Sequence, residues 1–336
     1  MMDVHSDPKK TDYPFKIYMK DIQREDIQIL SRHSDLTEKE VAEILEKHIY
    51  NDKKSWQKFL QLFLMTLGIG FTVSGIIFFF AYNWADLPKF AKIGLTEGLV
   101  IAATALTFLP KINSNIRKII LTGAAVLVGV LFAVFGQIYQ TGANAYDFFL
   151  AWTIFSTLWV IISDFAPLWL IYIILINTTF VLYTQQVGND RGAIYVFTIL
   201  FLINGVILVS GILISMYKKA AIPGWFTNVL SLAVASFATC GIVTGIFDKE
   251  TSASVILAVP VVAVYALGIL YALKVKNIFY LAVIPLSVVI IVTALIFRIT
   301  GENVASFLFV SLFILGSITL VIKNLLNLQK KWKNEK

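Results

Sequence analysis

The sequence has few charged residues, which soluble proteins need, and few cysteines, which redox and metal enzymes often use. It contains a single cysteine, Cys240, and only 15% of its 336 residues are charged. One cysteine excludes an internal disulfide, a thiolate metal cluster and a Cys-x-x-Cys redox pair. Soluble domains carry about 25% charged residues, so the composition excludes an ordinary soluble protein.

Histidine is also scarce, and its positions are informative. The three histidines, His5, His33 and His48, all precede the first long apolar run. The apolar part of the chain therefore supplies no histidine for haem, zinc or a Ser–His pair, and it lacks a Gly-x-x-x-x-Gly-Lys-Ser/Thr phosphate loop. We expect no metal, no cofactor and no recognisable enzymatic activity.

The excess positive charge does not indicate a nucleic-acid-binding face. Residues 1–58 hold 11 of the 28 Lys+Arg and 12 of the 21 Asp+Glu, so the surplus belongs to the apolar residues 59–336. No nucleic-acid partner is expected from such a distribution. With 58% hydrophobic residues, the chain is predicted to be an integral membrane protein whose main partner is the lipid bilayer.

Ten apolar stretches follow the polar N-terminal segment, each near the roughly 20 residues that cross the hydrocarbon of a bilayer. They should be helices, because lipid offers no partner to an unpaired backbone group. The predicted fold class is all-α, a polytopic integral membrane helix bundle of about ten transmembrane helices with a short N-terminal cytoplasmic helical region. The predicted spans are 59–83, 90–109, 117–140, 148–163, 167–184, 193–216, 225–246, 253–273, 278–297 and 304–326.

The distribution of Lys and Arg predicts the orientation. With the N-terminus in the cytoplasm, 23 of the 28 Lys+Arg lie on the cytoplasmic side and five lie outside. This asymmetry follows the positive-inside rule. An even number of spans also keeps the basic tail 327–336 inside, so both termini are predicted to be cytoplasmic.

The N-terminal region 1–58 is predicted to be a module of its own. Thr37 and Glu40 have the spacing of a capping box, and Val41, Ile44, Leu45 and Ile49 continue at helical intervals. A second amphipathic helix is predicted through Phe15, Tyr18, Ile22 and Ile29. Two interpretations remain open: a helical hairpin docked on the membrane portion, or a module that binds a cytoplasmic protein through residues 13–50 or the membrane surface.

Glu97 is the one ionisable residue that the pattern places clearly within the membrane. It lies eight residues after Lys89, and Gly94, Ile101 and Thr104 share its helical face. This small and polar face is expected to turn toward the bundle. A carboxylate at that depth is costly unless it is paired, hydrated or protonated, so Glu97 is a functional candidate. The alternative is a structural Glu bonded to a neighbouring helix.

A polar segment, 136–147, separates the third and fourth predicted spans on the outer side. Its glycines permit a tight return, and its Gln, Tyr, Asn and Asp side chains offer many donors and acceptors. It could hold a sugar, a peptide or a lipid headgroup. The alternative is an ordinary interfacial turn in which Asp147 caps a helix. The mid-span residues Asn177 and Asn204 are expected to join helices rather than bind a ligand.

Two motifs, Ala81-Tyr82-Asn83-Trp84-Ala85-Asp86-Leu87-Pro88-Lys89 and the segment 136–152 beginning Gly136-Gln137-Ile138-Tyr139, carry a family resemblance. Together with Asp35-Leu36-Thr37-Glu38-Lys39-Glu40, they resemble the bacterial membrane-protein family named domain of unknown function 2157, over roughly residues 20–190. The resemblance implies a location in the bacterial cytoplasmic (inner) membrane. It does not suggest any particular activity.

Three functional hypotheses follow. The first is transport or binding of a small envelope solute or lipid headgroup in an outward polar pocket. The second is a scaffold or sensor without transport, whose N-terminal helices recruit cytoplasmic partners. The third, an intramembrane enzyme using Glu97 and Asp147, has the least support. The predicted pocket consists of Asn83, Asp86, Glu97, Gln137, Tyr139, Gln140, Asn144 and Asp147.

Overall fold

A computed structural model describes residues 27, 37–48, 53–83, 85–139, 142, 144–188, 192–218, 222–248, 251–301 and 303–334. Within these residues there are eleven helices and no strand, which confirms the all-α prediction. In chain order the helices are α1 (Glu38–His48), α2 (Lys53–Tyr82), α3 (Lys89–Leu106), α4 (Ser114–Tyr139), α5 (Ala145–Ser163), α6 (Ala166–Gln186), α7 (Ala193–Lys218), α8 (Gly224–Phe247), α9 (Thr251–Val275), α10 (Ile278–Thr300) and α11 (Val304–Asn334).

Each predicted span coincides with one helix from α2 to α11. In the part of the chain that the structure describes, nine of these helices are long and apolar enough to cross a membrane. The exception is α3, which has only 18 residues and carries Lys89, Lys92 and Glu97. The polytopic helical architecture is therefore confirmed, and a membrane crossing by α3 stays a prediction. At the C-terminus, α11 continues beyond the predicted boundary at residue 326 to Asn334.

The short break between α5 and α6 confirms that residues 148–184 form two helices. Asp164 ends α5 in the left-handed conformation, with φ at 42°. Its carbonyl oxygen accepts a hydrogen bond of 2.9 Å from Nζ of Lys118 on α4. Pro167, in the first turn of α6, lacks an N–H that would have no partner there anyway. A lysine at the end of α5 is also favourable for the helix dipole.

In the unit Met1–Gly68, the predicted capping box at the start of α1 is confirmed. The N–H of Thr37 donates to Oε2 of Glu40 at 2.9 Å, and the N–H of Glu40 donates to Oγ1 of Thr37 at 3.4 Å. The hydrogen bonds from Thr37, first that of its backbone, lower the pKa of Glu40. The second predicted helix, through Phe15, Tyr18, Ile22 and Ile29, lies outside the described residues.

In the unit Ile69–Lys336, two helices lie at the centres of the packing. Half of the residues in the most apolar stretch of α4 are buried, and the same holds for α8. In α2 and α11 only 6% of the residues in that stretch are buried. Around α4, the core contains Val73, Val100, Leu127 and Val128. Around α8, the core is larger and contains Ile173, Phe201, Leu208, Phe226, Leu230, Val234, Ala238, Leu257, Val261, Tyr265 and Ile284.

Polar side chains join the helices of the α8 core. Asn204 on α7 is completely buried. Its Nδ2 donates to Oδ1 of Asn177 on α6 at 2.9 Å, and Nδ2 of Asn177 donates back at 3.1 Å. Asn204 also donates to the carbonyl of Leu200 at 2.8 Å. These contacts agree with the prediction that the two asparagines join helices.

Replacing Asn204 by Ala should destabilise the protein by about 1–2 kcal/mol, because the amide of Asn177 then loses its partner. Asn177→Ala should have a smaller effect, since Asn204 keeps its bond to Leu200. Unfolding of the purified protein by titration with a denaturing detergent measures both. The double variant should lose less stability than the sum of the losses in the two single variants. Additive losses would contradict a direct coupling between the two side chains.

Where α4 meets α5, a hydrogen bond and a close approach occur together. The indole Nε1 of Trp152 donates to the carbonyl of Ala125 at 2.7 Å. The ring lies directly over Gly129, where an added Cβ atom would be 2.5 Å from Cε2 of Trp152. Only glycine leaves room for the ring at this position.

Gly129→Ala should therefore lower the stability by about 1–3 kcal/mol, the usual cost of overpacking. Gly136→Ala is the matched control on the same helix, because a Cβ there would meet nothing within 4 Å. The control should be neutral or slightly stabilising, since alanine favours helix. The midpoint of thermal unfolding compares the two, and equal shifts would show that Trp152 moves aside freely.

Candidate functional site

Asn83 and Asp86 lie on the turn between α2 and α3. The side chain of Asn83 donates from Nδ2 to the carbonyl of Phe79 at 2.9 Å. Its own carbonyl accepts the N–H groups of Asp86 and Leu87, both at 3.2 Å. Asn83 therefore ends α2 and forms the turn, while the carboxylate of Asp86 is exposed.

Two members of the predicted pocket, Asn144 and Asp147, cap the start of α5. The N–H of Asn144 donates to Oδ2 of Asp147 at 3.0 Å. The N–H of Tyr146, two residues further on, donates to Oε1 of Gln186 at 3.0 Å and so joins the start of α5 to the end of α6. The structure thus agrees with the alternative in which Asp147 caps a helix at an interfacial turn.

The remaining members of the segment do not complete a pocket. Gln137 and Tyr139, at the end of α4, are exposed. The ring of Tyr139 packs on Phe135, with the two ring centroids 4.5 Å apart. Gln140 lies outside the described residues. Among the described members of the predicted pocket, hydrogen bonds join Asn83 to Asp86 and Asn144 to Asp147, and both pairs lie within a single turn.

The predicted direction of Glu97 is wrong. Glu97 and Gly94 are exposed, and Ile101 is 61% exposed. The buried face of α3 carries Lys92, Thr96 and Val100 instead.

The reason is packing. Val100 belongs to the core around α4, and partly buried Leu99 and Ala103 pack against that core. On the stripe with Gly94 and Glu97, the large apolar side chain of Ile101 is left exposed. Between helices in lipid, association depends on such packing rather than on polarity alone.

A different concave surface lies between α2 and α3, and we name it the α2–α3 groove. It has a volume of about 290 Å³ and is open to the surface of the protein. Its lining is almost wholly apolar: Thr72, Gly75, Ile76, Phe79, Phe80, Leu95 and Leu99. The carbonyl of Phe79, on this lining, accepts the side-chain hydrogen bond of Asn83. The groove therefore leads to the polar turn between the two helices.

The sequence contains one signal for this groove that polarity does not reveal. Gly75 stands four residues before Phe79, between large apolar side chains on the same helical face. A Cβ at Gly75 would meet nothing within 4 Å. A small residue among large ones leaves a notch on a helix surface, but the notch becomes a groove only when a second helix supplies the other wall.

A family model described as "Predicted membrane protein (DUF2157)" matches residues 31–169, from the N-terminal module to the first turn of α6. The resemblance is confirmed for that segment. The protein is a multi-pass membrane protein. No curated protein and no solved structure matches the chain. Within the described residues, no group of three His, Cys, Asp or Glu side chains is placed to hold a metal ion.

The exposed face of α3 can be tested with nitroxide spin labels. With exposed Cys240 replaced by Ser, a label at Ile101→Cys should be relaxed by oxygen, which enters lipid, more than by a water-soluble nickel complex. A label at Val100→Cys, one residue away on the buried face, should be reached by neither reagent. Strong access of the nickel complex at Ile101 would contradict contact of this face with lipid. It would indicate a water-filled cavity beside Glu97.

Proposed function

We propose that the protein binds a membrane phospholipid in the α2–α3 groove and holds the headgroup at the turn between the two helices. The observation that supports this most is the continuity of an open apolar groove with a polar turn at its end. This proposal keeps the lipid headgroup of the first hypothesis and replaces its pocket.

The apolar part of the groove favours an acyl chain. Phe79 and Leu95 are 49% and 46% exposed, so the apolar walls of the groove are accessible from outside the protein. A chain leaving bulk lipid gains no hydrophobic energy there, because lipid tails are as apolar as the groove. The groove therefore selects by shape and dispersion contacts, and the headgroup supplies chemical selectivity.

The charges around the turn favour a zwitterionic headgroup. Lys89, exposed in the first turn of α3, and the N–H groups of that turn offer positive charge to a phosphate. Asp86, three residues earlier and also exposed, offers negative charge to an amine. We infer a phospholipid with an ammonium group, such as phosphatidylethanolamine, as the ligand class.

Gly75→Leu should fill the groove without disturbing the helices, because the position has open space around it. Native mass spectrometry of the protein purified in mild detergent should then show about tenfold weaker retention of phosphatidylethanolamine, equivalent to about 1.4 kcal/mol. Asp86→Asn should weaken phosphatidylethanolamine more than phosphatidylcholine, whose quaternary amine donates no N–H hydrogen bond.

Gly70→Leu is the matched control. Gly70 lies on the same helix, also with nothing within 4 Å, and it does not line the groove. Retention equal to wild type in Gly75→Leu, or an equal loss in Gly70→Leu, would contradict the proposal. Deleting residues 1–50 should leave retention unchanged, whereas a loss would show that lipid binding depends on the N-terminal module and not on the α2–α3 groove alone.

A further inference from the structure

The last helix, α11, is longer than a membrane crossing requires. It has 31 residues, from Val304 to Asn334. About 20 residues cross the hydrocarbon, so a crossing that begins at Val304 is complete near Lys323. The following three turns of α11 lie at the membrane interface and beyond it, at the end of the bundle where α9 meets α10.

This extension is fixed against the protein by one of its faces. Leu325, Leu328 and Trp332 pack on the cluster of Ala272, Tyr280 and Leu281, which belongs to α9 and α10. The extension is therefore held in place, and its rotation about its own axis is set by three apolar side chains.

The opposite face of the extension is basic. Lys323, Asn327 and Lys330 recur at i, i+4 and i+7, and all three are exposed. Together with Thr319, Ile322 and Leu326 they line an open surface depression of about 370 Å³ on this single helix, which we name the α11 groove. The sequence of α11 contains no Asp or Glu, so no carboxylate of this helix neutralises the two lysines.

We propose that the α11 groove binds the headgroup phosphate of an anionic phospholipid in the adjacent leaflet. This site is separate from the α2–α3 groove and goes beyond the function proposed above. The phosphate lies between Lys323 and Lys330, and the amide of Asn327 between them donates a further hydrogen bond. The glycerol lies against Leu326 and Ile322, and the acyl chains continue from Ile322 toward the hydrocarbon.

Depth and charge together favour a lipid over a soluble phosphate. Lys323 stands where the hydrocarbon ends, at the level of lipid phosphates rather than in bulk water. Clustered lysines directly beyond a transmembrane helix attract anionic lipids, and the attraction extends over about one Debye length. The hydroxyl of Thr319 donates to the carbonyl of Leu315 at 2.7 Å, so it lines the groove without serving as a donor.

The test uses the full-length protein, delipidated in a neutral detergent and titrated with phosphatidylglycerol or phosphatidylcholine under native mass spectrometry. Wild type should bind phosphatidylglycerol about tenfold more tightly than phosphatidylcholine at low salt, and added NaCl should reduce the preference. Lys323→Gln with Lys330→Gln should abolish the preference. Lys323→Arg with Lys330→Arg should retain it, which controls for misfolding of the glutamine variant.

The matched control is Lys111→Gln with Arg117→Gln, an equal loss of charge at exposed positions beside the start of α4. It should bind phosphatidylglycerol like wild type. The proposal is overturned if the Lys323 and Lys330 double variant keeps the preference, or if the control loses it equally. It is also overturned if inorganic phosphate at low millimolar concentration displaces the lipid, because the ligand is then a free anion.

Discussion

Helices in hydrocarbon must associate without the hydrophobic effect, and this constraint determines which residues of the chain matter for its structure. Lipid tails compete on equal terms with apolar side chains, so close packing and buried hydrogen bonds remain as the specific forces. Where α4 meets α5, Gly129 lets the ring of Trp152 lie against the helix. Where α8, α9 and α10 meet, the hydroxyl of Ser287 lies 2.5 Å from those of Tyr265 and Thr239.

The same constraint explains which predictions were confirmed. Apolar length and turn residues located the helices, because both are local properties of the sequence. The capping box of α1 and the break at Asp164 were equally local. Asn177 and Asn204 were predicted to join helices, since a buried amide in lipid requires a partner. In each case the residue that carries the sequence pattern is the same residue that would lose free energy if the predicted structure did not form.

The direction of Glu97 could not be predicted in this way, because α3 carries two competing stripes. One holds Gly94 and Glu97, and the other holds Thr96 and Val100. Polarity predicted that the stripe with Gly94 and Glu97 would be buried. In the structure the other stripe is buried, because Val100 packs in the core around α4. The α2–α3 groove escaped prediction for a related reason: Gly75 supplies only one wall, and Leu95 and Leu99 supply the other from a different helix.

The positions of the charges also bear on whether α3 crosses the membrane. The eight helices from α4 to α11 are all long and apolar enough to cross a membrane; if all eight cross, the basic start of α4 and the basic end of α11 lie on the same side. The packing of α11 beside the turn between α9 and α10 agrees with this arrangement. With 18 residues and a rise of about 1.5 Å each, α3 measures about 27 Å, close to the hydrocarbon thickness. If α3 crosses, Glu97 lies about 12 Å from the Lys89 end and faces lipid. A charged carboxylate in lipid is unfavourable, so the side chain must be protonated there or contact a polar group of a bound molecule.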